Sequence, residues 1–271
     1  MKFSEKKGHT KPPELQRDGM SDDLRASLWN VLHFFIWDRE GFVEPRAFGY
    51  QPDIFRFARS LWFDYFKQPL DTIPDGPRAT LFQIRTYFFG EPWYRVYDLL
   101  QFIVEQEDNQ KLDTSLNQVL EREVAGYRFV NHVLTDLTNP EELEMLSGAL
   151  ADTAFPGVAQ HLQRALELMS DRTKPDYRNS IKESISAVES MARALTGATK
   201  ATLADALKAL EKKRKVHSAL KEGFAKLYGY TSDQGGIRHA MLDDGTNITV
   251  ADARFFLLSC TSFINYLKAQ A

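Results

Sequence analysis

The chain has almost no sulfur chemistry to offer. Among its 271 residues Cys260 is the one cysteine, set in the apolar run FFLLSCTSF. No disulfide and no cysteine-based metal site can form within it, and a lone thiol in such a run reads as a small buried side chain. Long unbroken apolar runs are missing too, so no membrane-spanning helix is expected. The opening MKFSEKKGHT lacks the apolar core of a secretory signal, so the protein is expected to be cytoplasmic. A strong overall charge is also lacking. The formal net charge is -3 and the pI is near 6.1, which excludes a surface that binds polyanions all over. Neither GxxxxGK[ST] nor GxGxxG occurs, and no HExxH, clustered His/Cys set or GxSxG is present. The six histidines, His9, His33, His132, His161, His217 and His239, are scattered, and lone helical ones such as His33 and His161 read as packing residues. No metal and no cofactor is therefore expected.

What is present reads as mainly α. The first twenty residues are polar, contain Pro12-Pro13, and form an arm. At Ser21 a helix begins: Ser21 caps, Asp22 and Asp23 suit the positive helix end, and Leu24, Leu28, Val31, Leu32 and Phe35 share a face. Another starts after Asp53, and Gly90 and Pro92 separate two more. GYRFVNHVLTDLT, from Gly126, alternates and is rich in β-branched and aromatic residues. It predicts a small hairpin turning at Asn131-His132, within 126–138. Asn139-Pro140-Glu141-Glu142 then restarts a helix with a cap, an N1 proline and first-turn acids. All four tryptophans, Trp29, Trp37, Trp62 and Trp93, fall in the first hundred residues. The expected organisation is an arm over 1–20, a helical subdomain with the hairpin over 21–153, and a helical bundle over 154–271 on which it packs.

Charge reverses between neighbouring segments. Glu91 to Asp171 carries 5 Lys/Arg against 15 Asp/Glu, whereas Arg172 to Lys221 carries 12 against 5. Solvated helix faces account for single charges, but the reversal directs attention to an anionic partner on the later half. Tyr177 to Leu195 predicts a helix whose stripe Ile181, Ile185, Val188, Met191 and Leu195 is core, with Gly197 closing it. Asn179, Lys182, Glu183 and Glu189 lie off that stripe. The basic run Lys212, Lys213, Arg214 and Lys215 follows a short helix, and Thr249 with Asp252 marks a capping box for the last one.

Between them lies TSDQGGIRHAMLDDG (Thr231 to Gly245). Gly235 and Gly236 permit close backbone approach. Arg238 can grip a phosphate with two N–H bonds, and His239 titrates near neutrality. Together they hold the parts for metal-free RNA cleavage: an imidazole to activate a ribose hydroxyl and a guanidinium to stabilise charge on the phosphate. A structural role explains them as well, with Arg238 bridging to Glu183 or to Asp243 and Asp244, and His239 capping a helix.

These segments carry a family resemblance. SDDLRASLWNVL, WFDYFKQPLDTIP and GYRFVNHVLTDLTNPEEL in the first part, with YRNSIKESISAVESMARALTG and LYGYTSDQGGIRHAMLDD in the second, resemble the AbiJ-type abortive-infection N-terminal domains, type four. That group looks related to the HEPN superfamily of helical domains, whose members commonly dimerise and cleave RNA without metal. Arg238 matches the arginine of the HEPN signature and His239 the polar position beside it. The positions of the distal histidine hold Leu242, Asp243 and Asp244. Asn179 and Glu183 resemble the polar residues that face the signature.

The resemblance implies a homodimer through the later half and a role in antiphage defence. The missing histidine favours a sensor or adaptor that recognises RNA, a nucleotide or a phage or defence-system protein. The alternative is a metal-independent endoribonuclease toxin using Arg238 and His239. A purely structural dimerisation domain would need neither GGIRH nor the basic segment.

Overall fold

The computed structural model describes Phe3, Lys7 and residues 15–38, 52–107, 109–171, 174–197, 203–212, 216–232 and 248–270. Helix α1 (Asp22–Leu32) begins as its caps predict, with Ser21 Oγ accepting the Leu24 N–H at 3.2 Å. Its apolar face, Leu24, Leu28 and Leu32, is fully buried. The helix then widens into a π turn, His33–Trp37, and α2 (Pro52–Ser60) does the same over Leu61–Phe66. Each π turn sends two adjacent residues inward, Ile36 with Trp37 and Leu61 with Trp62, while Phe34 and Phe63 stay exposed.

Helices α3 (Pro77–Gly90), α4 (Trp93–Glu107) and α5 (Gln110–Arg122) complete the helical part of the first unit, Met1–Asp136. Its core is aromatic: Trp29 lies 5.6 Å from Trp37 and 5.1 Å from Phe88, ring centre to ring centre. Arg25 closes the end of α3 by donating to the carbonyls of Phe88 and Glu91.

The hairpin forms as predicted, β1 (Arg128–Val130) against β2 (Val133–Thr135), antiparallel with Val130 opposite Val133. Asn131 and His132 both take positive φ, 45° and 69°, the pair of left-handed residues that a two-residue turn matched to strand twist requires. Helix α5 holds it. Asp113, buried, accepts the His132 backbone N–H and sits 3.0 Å from its ring nitrogen. The buried Arg128 guanidinium donates to the Ala125 and Tyr127 carbonyls, and desolvation lowers its pKa. Within the polar lead-in, Gln16 bridges to Ala125: its N–H donates to Val124 and its carbonyl accepts from Gly126. A Cβ on Gly126 would stand 2.7 Å from Arg17 Cγ, so the close approach requires glycine there.

The second unit, Leu137–Ala271, is helical among the described residues: α6 (Pro140–Leu150), α7 (Pro156–Ser170), α8 (Tyr177–Thr196), α9 (Leu203–Lys212), α10 (Ser218–Ser232) and α11 (Val250–Ala269). Helix α8 is central, packed by α7, α9 and α11. Its expected stripe is buried at Ile181, Ile185, Val188 and Met191, whereas Leu195 is half-buried. Gly197 ends it with φ 73°, its N–H donating to the Arg193 carbonyl. The Thr249–Asp252 capping box opens α11, whose first residue, Val250, is 38% exposed. Helix α6 joins this unit through ion pairs: Glu142 with Arg254, and Lys268 with Asp152 at 2.8 Å just beyond the helix. The Lys268 ammonium, by hydrogen bonding, holds the Asp152 carboxyl below its ordinary pKa.

Among the described residues, no helix is long and apolar enough to cross a membrane.

Candidate functional site

The residues expected to form a site divide into two sets. Arg238, His239, Gly235, Gly236, Lys213, Arg214 and Lys215 lie outside the described residues. Asn179, Glu183 and Lys212 lie within them. Lys212 is the exposed last residue of α9. Asn179 is engaged in the first turn of α8: Asp176 caps the Asn179 N–H at 3.0 Å and accepts its side-chain amide at 2.6 Å, while Lys182 donates to its carbonyl oxygen.

Glu183 belongs to a different constellation. Helices α7 and α8 run antiparallel, as three contacts show. Ser180 Oγ donates to the Ala165 carbonyl at 2.8 Å, His161 Nδ1 meets Glu183 Oε2 at 2.7 Å, and Gly157 faces Ser190. The last approach is so close that a Cβ on Gly157 would stand 2.9 Å from Ser190 Oγ. Beside this seam opens a groove of about 600 Å3, lined by His161 and, on α8, Ser186, Glu189, Ser190, Arg193 and Ala194, with Gly197 at its end.

The groove is polar for a reason of register. Glu183, Ser186, Ser190, Arg193 and Gly197 recur at three- and four-residue steps, so they form one face of α8 beside the apolar stripe. Glu183 occupies His161 Nδ1, which orients the ring and leaves Nε2 as the nitrogen the groove can use. One turn apart, Glu189 and Arg193 pair at 3.4 Å. The groove's lining thus offers an imidazole, a guanidinium, one carboxylate and two hydroxyls. That set suits a small polar ligand with both donors and acceptors. No group of His, Cys, Asp and Glu that would hold a metal ion exists among the described residues.

The sequence made a site candidate of Glu183 and of no residue that lines the groove, and it gave Glu183 a different neighbour: its carboxylate is bonded to His161. His161 read as a packing residue and is instead a groove-lining, partly exposed one. The signal available was the i, i+3, i+7 polar row on α8. What it lacked was the α7 partner.

Comparison with known families matches residues 1–152 to AbiJ N-terminal domain 4. The chain belongs to the AbiJ N-terminal domain 4 family. No curated protein and no solved structure matches it. The AbiJ match takes in the whole first unit, with its aromatic core and hairpin, and continues through α6, which packs with the second unit. The α7–α8 groove begins just beyond the AbiJ match, so its chemistry is read from this chain's own residues.

Proposed function

We propose that this AbiJ-family protein serves abortive-infection defence, and that its second unit is a HEPN-like module that recognises RNA or a nucleotide and acts as a sensor or adaptor. Family membership over residues 1–152 carries the reading. Two further features support it. The second unit is a helical bundle built around α8, the kind of scaffold the HEPN resemblance implies. Glu183 also bonds His161, which lines a polar groove beside the α7–α8 seam. Arg238 supplies the phosphate grip, and two copies associate through the later half. Without the distal histidine, recognition rather than cutting is the expected outcome.

The test is phage challenge of bacteria expressing the chain, beside Arg238→Ala and Glu183→Ala. The wild type should lower plaque formation and both variants should lose that protection at equal protein levels. The His161–Glu183 pair is partly exposed, so Glu183→Ala should cost less than about 1 kcal/mol of stability and function should be lost without unfolding. A wild type giving no protection against a broad phage panel sinks the reading. Purified protein with RNA in chelator should bind without cleaving; cyclic-phosphate ends made by the wild type and not by Arg238→Ala would instead establish a metal-independent endoribonuclease.

A further inference from the structure

Helix α3 has two unlike faces. Thr80, Ile84 and Phe88 are buried in the first unit. The opposite side carries Arg78, Phe82, Arg85 and Phe89, all exposed, in steps of four, three and four residues. At 100° per residue these four fall within an arc of about 60°, a single row alternating cation and aromatic ring. Phe82 is 70% exposed. The Arg85 guanidinium lies 4.7 Å from the Phe89 ring centre, which leans on Trp29 at 5.8 Å. Among the described residues neither Arg78 nor Arg85 has a carboxylate partner, and α3 contains no acidic residue at all. Among the described residues Phe82 buries little of its ring, and two guanidiniums beside the rings repel other cations.

We infer that this face of α3 is a binding surface for single-stranded RNA, with bases stacking on Phe82 and Phe89 and phosphates held by Arg78 and Arg85. Rings and guanidiniums each repeat at seven residues, about 10.5 Å along the helix, a spacing that an unstacked strand can follow. Bases present a π face whatever their sequence, and arginine adds cation–π contact to charge. Duplex is excluded because its bases are already stacked. Gln83, exposed alongside, offers a neutral donor and acceptor, and Thr86, whose hydroxyl donates to the Phe82 carbonyl, offers an acceptor, as a ribose 2′-hydroxyl needs. The surface lies on the first unit and does not depend on the reading of the second.

The experiment is fluorescence anisotropy of the full chain with a labelled oligouridine of roughly twelve nucleotides, a length typical of single-strand sites. Arg78→Ala/Arg85→Ala should weaken binding at least about tenfold and flatten the slope of log affinity against log salt by about 1.4, two phosphates at about 0.7 each. Phe82→Ala and Phe89→Leu, the latter keeping contact with Trp29, should each weaken it about fivefold or more. Melting temperatures should hold for the arginine and Phe82 variants, whose replaced groups face outward, and Phe89→Leu keeps the packing on Trp29. Unchanged affinity in these variants overturns the proposal, as does equal competition by duplex or by oligothymidine, capture of a protein but no RNA, or loss of binding only when Lys212 to Lys215 are replaced.

Discussion

Asn117 of α5 grips Phe129 of β1 by both ends of its amide: Nδ2 donates to the Phe129 carbonyl and Oδ1 accepts the Phe129 N–H, each at 2.7 Å. The amide thereby acts as one rung of a third strand on the outer edge of a two-stranded hairpin, which alone would be marginal in water. Asn117→Ala leaves both groups of Phe129 without a partner in a half-buried setting. The expected cost is about 1–3 kcal/mol. Tryptophan fluorescence in a urea titration measures it cleanly, because all four tryptophans belong to the first unit.

Gly157 and Ser190 should be coupled. A methyl group at 157 meets Ser190 Oγ at 2.9 Å and, among the described residues, no other atom from outside its own helix within 4 Å. Gly157→Ala in the wild type forces the serine hydroxyl to move, whereas in a Ser190→Ala background it meets no obstacle. There it should stabilise by up to about 0.5–1 kcal/mol, the helix preference of alanine over glycine. A double-mutant cycle by calorimetry reads the difference, and additive effects would show that the α7–α8 seam is looser than described.

Acid should release the start of α11. The Thr249 backbone N–H and then its hydroxyl hydrogen-bond the Asp252 carboxylate at 2.8 and 2.7 Å, which lowers its pKa. A carboxylate held below its unfolded value adds stability that is present above that value and is lost as pH falls through the folded one. Protection of the first-turn amides of α11, relative to their intrinsic exchange rates, should therefore fall below pH about 4, the ordinary carboxylate range. Asp252→Asn should show fast exchange already at neutral pH.

Cys260 should be silent towards thiol reagents in the native chain. It is 1% exposed, and desolvation pushes its thiol up to about 12, so almost no thiolate exists at neutral pH. Reaction with a chromogenic disulfide should be undetectable until denaturant is added. Rapid native labelling would mean that α11 opens locally.

Much of the candidate site was hidden for a physical reason. Glu183 stood out as a polar residue off the core stripe, and the polar row through Ser186, Ser190 and Arg193 follows from helical period alone. His161 gave no such sign, because an imidazole on a helix looks alike whether it packs or pairs. Its role comes from a carboxylate 22 residues away, brought within 2.7 Å by the antiparallel turn of the chain. The arginine–phenylalanine row of α3 had the reverse status: the order of residues contained it, but only burial shows which side of that helix faces out.

What the sequence alone determined is local. Caps at Ser21, Asn139 and Thr249, the left-handed close at Gly197, the Asn131-His132 turn and the 3.6-residue stripes act within a few residues, so the chain carries them wherever it folds. Tertiary structure decided the rest. It widened two helices into π turns so that neighbouring bulky side chains could both reach an aromatic core. It joined α6 to α11 through Glu142–Arg254, and it brought His161 of α7 against Glu183 of α8. Those outcomes depend on which surfaces meet, and contact between distant segments follows no short period in the residues themselves.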